Sequence, residues 1–225
     1  MRKGDERKLE ILSVAERLFC SRGFAETSVQ DILDTIQVSK GGFYHHFESK
    51  EAVLDTICMR KAERTASETV QALSCLQGDA MGRINLVFRQ IMPLREDELP
   101  FMRMLLPLLD KPESIAMRVR YQEALHHAFM PILEEELHLA SEQGVICPPV
   151  REVAEPVLLL LNQCWLDAAL ALLYAKQKAQ SCDTTALFAL LERYRRCIEV
   201  LLDAPYGSVL LLDLSEWIAA AEALI

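Results

Sequence analysis

The chain has 225 residues, of which 51% are hydrophobic and 25% are charged, so it can bury a sizeable core and is too apolar to be disordered throughout. Eight glycines and nine prolines are too few for a turn-rich all-β fold. The seven cysteines have no Cys-x-x-Cys spacing, which argues against a disulfide framework or a zinc site. The N-terminus has no apolar stretch typical of a secretory signal. These features together predict a cytoplasmic globular protein.

The net charge of −9 is unevenly distributed along the chain. Residues 1–64 contain 11 basic and 11 acidic side chains, whereas the remaining 161 residues contain 13 basic and 22 acidic ones. An acidic surface repels the phosphates of a nucleic acid. If the chain binds nucleic acid, we therefore expect the neutral N-terminal part to do so.

The first predicted elements are four helices within about sixty residues. Ile11, Ala15 and Phe19 recur at helical spacing, and Gly23 is typical of a helix end. Thr27 to Gln30 has the spacing of a capping box for a second helix. Caps for a short third and a longer fourth helix are predicted at two serines, Ser39 and Ser49. The sequence therefore predicts a compact helical N-terminal domain.

Further helices are predicted beyond residue 70, separated by Gly and Pro positions. The expected ranges are 83–94, 97–109, 113–142, 151–178, 184–203 and 208–222. The apolar run from Val157 to Tyr174 approaches the length of a membrane span, but Asn162, Gln163 and Asp167 interrupt it. We therefore expect a helix buried among other helices and no membrane partner. The predicted fold class is all-α.

Residues 27–50 are the most informative segment. A helix, a tight turn and a short second helix are typical of a helix-turn-helix unit, although an ordinary helical hairpin has the same pattern. Two adjacent glycines weaken a helix, and close approach to a ligand backbone would explain them. Lys40 is the natural reader of a guanine edge, and the neighbouring hydroxyl, imidazole and amine groups are candidate phosphate donors. The candidate DNA-binding residues are Thr27, Ser28, Ser39, Lys40, Gly41, Gly42, Tyr44, His45, His46 and Lys50.

From about Arg7 to Ile57, roughly a quarter of the chain, the sequence resembles the DNA-binding domain of the TetR family of transcriptional regulators. The similarity rests on Ile11-x-x-x-Ala15-x-x-Leu18-Phe19-x-x-x-Gly23-Phe24, Thr27-Ser28-Val29-x-x-Ile32, Val38-Ser39-Lys40-Gly41, Phe43-Tyr44-His45-His46-Phe47 and Ser49-Lys50-Glu51. The resemblance implies a helix-turn-helix domain at 1–48 and a larger helical effector-binding and dimerisation domain at 49–225. It implies that Lys40, Gly41 and Gly42 face bases, and that Thr27, Tyr44, His46 and Lys50 contact phosphates.

Two positions depart from the family pattern. Gln37 stands where a glycine is usual, so left-handed backbone strain is expected in the turn. Leu33 replaces a usual alanine and is expected to shift the packing of the second and third helices. Gly42, moreover, carries no side chain at a position that could read a base, which predicts weak direct readout and greater reliance on phosphate contacts and DNA shape.

The resemblance also implies a homodimer formed by the helices at 151–178 and 184–203. Both helices are too apolar for a helix with a single buried face. We therefore expect their main apolar stripes to lie in the dimer interface and not in the core of one subunit. These stripes are Leu158, Leu161, Trp165, Ala168 and Leu172 on one helix, and Leu187, Leu191, Tyr194, Ile198 and Leu201 on the other.

An effector pocket is expected inside the larger domain, where buried amides would orient a small molecule of unknown identity. Its candidate residues are Phe88, Met92, Phe101, Met104, Met117, Tyr121, Asn162, Gln163 and Trp165.

The function predicted from the sequence is a ligand-responsive regulator, a repressor that an effector releases from a near-palindromic double-stranded DNA operator. The alternative is a helical small-molecule carrier or enzyme whose N-terminal domain does not bind DNA. No nucleophile–base pair or glycine-rich phosphate loop favours an enzyme. Glu134, His138, His126 and His127 have metal-ligand chemistry, but Pro131 interrupts a shared helix face, so we expect neither a metal nor a cofactor.

Overall fold

The computed structural model describes residues 3–76, 79–92, 98–178 and 184–211, together with Ala219 and Ala223. Every regular element in these ranges is helical, which confirms the all-α prediction. The helices are α1 Lys3–Arg22, α2 Val29–Ile36, α3 Lys40–Tyr44, α4 Lys50–Cys75, α5 Ala80–Ile91, α6 Leu99–Leu105, α7 Ile115–Glu142, α8 Val150–Gln177 and α9 Thr184–Leu202. Two 3₁₀ turns, Leu106–Leu108 and Pro112–Ser114, lie between α6 and α7.

The N-terminal helices enclose a small apolar core. Ile11, Ala15 and Phe19 of α1 are fully buried, as are Ile32 of α2 and Phe43 of α3. The predicted serine caps are confirmed, since Ser39 and Ser49 each accept a hydrogen bond from a backbone N–H of the helix that follows. Short helices such as α3 are marginal alone, so this core holds α3 in place.

The body of the molecule is built on α7. Helix α4 packs along α7, α5 and α8 flank α7, and α9 pairs with α8. The helices predicted at 83–94, 113–142, 151–178 and 184–203 are confirmed within a few residues. The helix predicted at 208–222 is wrong for residues 208–211, which are not helical, and its remainder lies almost wholly outside the described residues.

Helix α8 is long and apolar enough between Val150 and Ala175 to cross a membrane, and 56% of its most apolar window is buried within the protein. The ionisable residue of this run has partners within the protein, because Asp167 accepts hydrogen bonds from the exposed Gln163 at 2.6 Å and from Tyr194 of α9 at 2.6 Å. In this structure α8 is therefore a core helix, as predicted.

The dimer stripes expected from the sequence are buried within the subunit. Leu158, Leu161, Ala168, Leu172 and Ile198 are fully buried, Trp165, Leu187 and Leu191 are at most 7% exposed, and Tyr194 and Leu201 are half-buried. The prediction was wrong because α8 is apolar around most of its circumference, so periodicity alone does not tell which face turns inward. A different apolar set is exposed: Leu159 and Tyr174 of α8 and Phe188 and Val200 of α9, each between 46% and 72%.

A non-helical segment, residues 205–211, closes over α5 and α9, and we call it the C-terminal clasp. The Asn85 side chain donates to the Ser208 carbonyl and accepts from Leu210 N–H, both at 2.8 Å. Glu199 accepts from Gly207 N–H at 2.7 Å, and Val209 of the clasp is fully buried. Polar side chains of α5 and α9 thus hold this irregular segment in place.

Candidate nucleic-acid interface

Helices α2 and α3 form the predicted helix-turn-helix. Only residues 37–39 separate them, and Gln37 adopts a left-handed conformation with φ 53° and ψ 46°. Its N–H donates to the Leu33 carbonyl, which closes the end of α2. The strain expected at Gln37 is therefore present, since a side chain in this region costs about 1–2 kcal/mol.

The cap of α2 differs by one residue from the predicted one. Ser28, not Thr27, is the N-cap: its Oγ accepts from Asp31 N–H at 3.1 Å, and the Asp31 carboxylate accepts from Ser28 N–H at 2.8 Å. Hydrogen bonds from Ser28 to the charged form lower the pKa of Asp31, with Arg22 nearby adding to the effect. The exposed Ser28 hydroxyl remains beside the N-terminus of α2.

Thr27 is fully buried, so the predicted phosphate contact is wrong for this conformation. Its hydroxyl donates to the Gly23 carbonyl at 2.8 Å, which ties the end of α1 to the start of α2. The sequence could not show this, because the partner lies in the preceding helix end and not in the capping box.

Lys50 also points toward the protein and is half-buried. Its ammonium donates to the carbonyls of Phe24 at 2.8 Å and Thr27 at 2.9 Å, and it lies 4.2 Å from the Phe24 ring centroid. Two of its three protons are used, so Lys50 anchors the α1–α2 turn to α4 instead of offering a free cation to a phosphate.

The remaining predicted contacts surround one exposed face of α3. Ser39, Lys40, Gly41 and His45 are exposed, and Tyr44 is 54% exposed. His46 and Gly42 are half-buried. Behind this face, the rings of Phe43 and Phe47 pack into the core, with centroids 6.1 Å apart. We call the exposed set of Ser39, Lys40, Gly41, Tyr44 and His45 the α3 face.

The two glycines of α3 have different surroundings. A Cβ added to Gly42 would lie 2.9 Å from Cγ1 of Val38 and 3.5 Å from the Ser39 hydroxyl. Close packing of the turn therefore explains the glycine at position 42, and the weak base readout expected there stays a prediction. A Cβ on Gly41 would meet nothing within 4 Å. Gly41 is the open position of this helix.

Substituting Gly41 with alanine separates folding from binding. Because alanine is favoured over glycine in a helix by about 1 kcal/mol, we expect Gly41→Ala to leave thermal stability unchanged or raise it slightly. If a DNA backbone or base edge lies against Gly41, the added methyl group will weaken DNA binding about tenfold, an overpacking cost of about 1.4 kcal/mol. Thermal unfolding and fluorescence anisotropy with labelled duplex measure the two effects. Unchanged affinity would show that the α3 backbone does not approach DNA.

The predicted effector pocket is filled by its own side chains. Rings of Phe101, Tyr121 and Trp165 form an edge-to-face chain with centroids 5.9 Å apart at each step. The other apolar members are also buried, namely Phe88, Met92, Met104 and Met117. Burial raises the pKa of Tyr121 well above its usual value. These seven residues are buried and none of them lines the α7–α8 cavity described next, but Met117 also lines a second cavity between α4 and α7.

A cavity of about 720 Å³ lies between α7 and α8, and it includes the two predicted amides, Asn162 and Gln163. Asn162 is 5% exposed, and its Oδ1 has no hydrogen-bond partner in the described structure. The opposite wall carries His126 and His127, which the sequence had suggested only as metal ligands. Asn162 and Gln163 thus line one cavity, although Gln163 is exposed, and their binding of an effector stays a prediction.

The described residues hold no metal cluster, and three of their cysteines have thiols of low reactivity. Among them, no group of three or more His, Cys, Asp or Glu side chains is placed to hold a metal ion. Burial raises the pKa of Cys20 to about 11 and that of Cys164 to about 12, and it raises the pKa of Cys58 further. These three thiols therefore stay protonated at neutral pH and are poor nucleophiles.

Comparison with known proteins agrees with this geometry. Residues 11–57 match the family described as bacterial regulatory proteins, tetR family. The HTH-type transcriptional repressor KstR2 of Rhodococcus jostii is 45% identical over 51 residues, which are 23% of this chain and 25% of that protein. The regulator EthR of Mycolicibacterium smegmatis is 37% identical over 76 residues, 34% of this chain and 35% of EthR. The chain thus spans about a quarter to a third of these two relatives' length.

Solved structures extend the similarity to the whole fold. FadR of Bacillus subtilis, crystallised in complex with stearoyl-CoA, aligns with a TM-score of 0.58 at 16% identity and covers 88% of this chain and 99% of FadR. A TetR-family regulator from Mesorhizobium loti aligns with a TM-score of 0.58 at 17% identity, covering 90% and 98%.

The N-terminal segment has the helix-turn-helix arrangement and is joined to a mainly helical body. Residues 11–57 match the tetR family of bacterial regulatory proteins, and the described chain has the fold of the TetR-family structures with which it aligns.

Proposed function

We propose that this protein is a dimeric, ligand-responsive transcriptional regulator that represses from a near-palindromic operator in the cytoplasm. The observation that carries the proposal is the α3 face, a row of exposed polar residues on a short helix whose other side is fixed by Phe43 and Phe47. We divide the chain into a DNA-binding domain at 1–48 and an effector-binding and dimerisation domain at 49–225.

The α3 face suits the major groove of DNA. Lys40 begins the helix and can donate to guanine O6 and N7, while Gly41 permits close approach. Tyr44, His45 and Ser39 can donate to flanking phosphates, and the Ser28 hydroxyl at the start of α2 adds a further donor. The neutral N-terminal part gives the protein a surface that DNA does not repel, in contrast to the acidic body.

Dimerisation would use the exposed apolar residues of α8 and α9. Leu159, Tyr174, Phe188 and Val200 would be an unusually apolar surface for a monomer, and obligate dimers bury surfaces of this kind. Two-fold symmetry would place two copies of α3 about 34 Å apart, in successive major grooves.

Regulation would come from a small molecule in the body. FadR of Bacillus subtilis was crystallised with stearoyl-CoA, which supports a ligand with a long apolar chain in this fold. In this chain the α7–α8 cavity offers apolar walls and the unpartnered Asn162 carbonyl. A ligand that binds better to a conformation with wrongly spaced α3 helices would shift the population away from the DNA-bound state.

Selection of bound sequences from a random duplex library, at two salt concentrations, tests the proposal. We expect enrichment of a near-palindrome and affinity that falls steeply with salt. Lys40→Ala should weaken binding by about 1–3 kcal/mol and relax preference at one base pair in each half-site. The matched control is Lys178→Ala, an exposed lysine at the end of α8. Failure to enrich any sequence, with no salt-sensitive binding, would contradict a DNA-binding function.

A further inference from the structure

A second cavity, of about 470 Å³, lies where the N-terminal domain meets the body. One side is formed by the α1–α2 turn and the first turns of α4, including Phe24 and Leu54. The other side is formed by the segment before α7 and by its first turns, including Met117. Its size is within the range of small-molecule sites, and such sites are frequent at domain junctions.

Charges of opposite sign line the two sides of this junction cavity. Glu51 and Asp55 stand one turn apart on α4, whereas Lys111 and Arg120 come from the body. An Arg120 nitrogen forms an ion pair with Oδ2 of Asp55, and the Arg120 side chain is still 49% exposed. The Asp55 carboxylate and the Arg120 guanidinium therefore meet directly, while Glu51 and Lys111 line the cavity from opposite walls.

Asp55 has capacity left for a ligand. Its Oδ1 is buried and has no hydrogen-bond partner among the described residues. A buried carboxylate oxygen without a donor is energetically unfavourable and uncommon in folded proteins. A ligand that brings an N–H group to this oxygen would remove that cost.

The floor of the junction cavity is apolar. Leu54 and Met117 are 3% and 7% exposed, and the Phe24 ring lies beside them in the lining. The Lys50 ammonium lies 4.2 Å from the centroid of this ring. The ring is therefore part of the contact that ties the α1–α2 turn to α4. A ligand with an apolar side chain would pack against a part of the protein that positions α2.

From this arrangement we propose that the junction cavity binds a small zwitterion with an apolar side chain, that is, a hydrophobic amino acid. The ammonium group donates to Oδ1 of Asp55 on the acidic wall. The carboxylate accepts from Lys111 and from the exposed part of Arg120, and the side chain lies on Phe24 and Met117. The bound amino acid links α4 and the α1–α2 turn to α7, so it holds the DNA-binding domain in one orientation on the body.

Binding is measured on the full chain without DNA, so the result does not depend on the proposed regulatory function. The probe is L-phenylalanine in isothermal titration calorimetry. We expect 3-phenylpropionate, which lacks the amine, and phenethylamine, which lacks the carboxylate, to bind at least about tenfold more weakly, as expected for loss of one charge-assisted contact. Equal binding of all three compounds, or no heat with L-phenylalanine at millimolar concentration, would overturn the proposal.

Two variants locate the site. Lys111→Ala should weaken L-phenylalanine binding about tenfold, whereas the control Lys178→Ala should leave it unchanged. Ala116→Trp fills the cavity from its exposed rim and should abolish binding while circular dichroism and thermal unfolding show a folded protein. Wild-type affinity in Ala116→Trp would place the ligand elsewhere and overturn the assignment. The effect of L-phenylalanine on DNA affinity is a separate measurement, and it alone rests on the proposed function.

Discussion

Replacing Glu199 with alanine is expected to lower the free energy of unfolding by about 3–5 kcal/mol, the usual cost of breaking a buried ion pair. The Glu199 side chain is 1% exposed, and it accepts hydrogen bonds from Arg195 and, at 2.9 Å, from Arg196. It also accepts from Gly207 N–H in the C-terminal clasp. The substitution removes one of the carboxylates that pair with Arg195, which is only 9% exposed. It also removes the hydrogen bond that holds Gly207 of the clasp against α9.

The same residue gives the stability a defined pH dependence. Burial alone would raise the pKa of Glu199, but hydrogen bonds from Arg196, from the clasp N–H groups and from Arg195 outweigh it and lower the pKa overall. A carboxyl with a depressed pKa in the folded state stabilises the protein above its unfolded pKa, and this contribution is lost as the pH falls through the folded value. Wild type should therefore lose stability below about pH 4.5 more steeply than Glu199→Ala.

Urea unfolding at several pH values measures both effects. The control is Glu192→Ala, because Glu192 also pairs with Arg195 but its side chain is 34% exposed. We expect that control to cost about 1 kcal/mol, as for a partly exposed ion pair. A loss below 1 kcal/mol in Glu199→Ala, or acid sensitivity identical to wild type, would show that the clasp is not held by this carboxylate.

If the exposed apolar residues of α8 and α9 form the proposed dimer interface, placing two glutamates there is expected to break the dimer. In the double variant Leu159→Glu/Val200→Glu, side chains that are 54% and 72% exposed in the single chain become charged. Burying these charges in an interface would cost several kcal/mol, so the variant should sediment as a folded monomer. Because the second half-site contact then becomes bimolecular, operator affinity should fall about 100-fold or more.

A matched double variant controls for surface charge. Val70→Glu/Val119→Glu changes two valines of α4 and α7 that are 52% and 45% exposed. It should remain dimeric, although the added charge will slightly weaken DNA binding. If Leu159→Glu/Val200→Glu still forms a dimer and binds the operator with wild-type affinity, the subunits associate through another surface.

Local signals made the helices and their caps predictable. Ser39 and Ser49 cap the helices that follow because a cap involves only neighbouring residues. The left-handed backbone at Gln37 was predictable from the family resemblance, because the corresponding position usually holds a glycine. The polar, exposed residues of α3 also followed from sequence, because buried Phe43 and Phe47 determine which side faces out.

Contacts between distant parts of the chain were not predictable. Lys50 donates to carbonyls 23 and 26 residues earlier in the chain. It looks like a phosphate contact until the packing of α4 against the α1–α2 turn is known. Cavities are gaps between helices, so composition cannot locate them, and aromatic residues such as Trp165 pack in the core more often than they line a ligand site.

Methylation protection of guanine N7 tests most directly whether the α3 face lies in a major groove. Guanine N7 is exposed in that groove, so dimethyl sulfate treatment of the selected duplex reports groove occupancy. We expect two protected groups of guanines about one helical turn apart, and loss of protection at one guanine in each group with Lys40→Ala. Tight binding of the selected duplex with every guanine N7 still reactive would contradict the account.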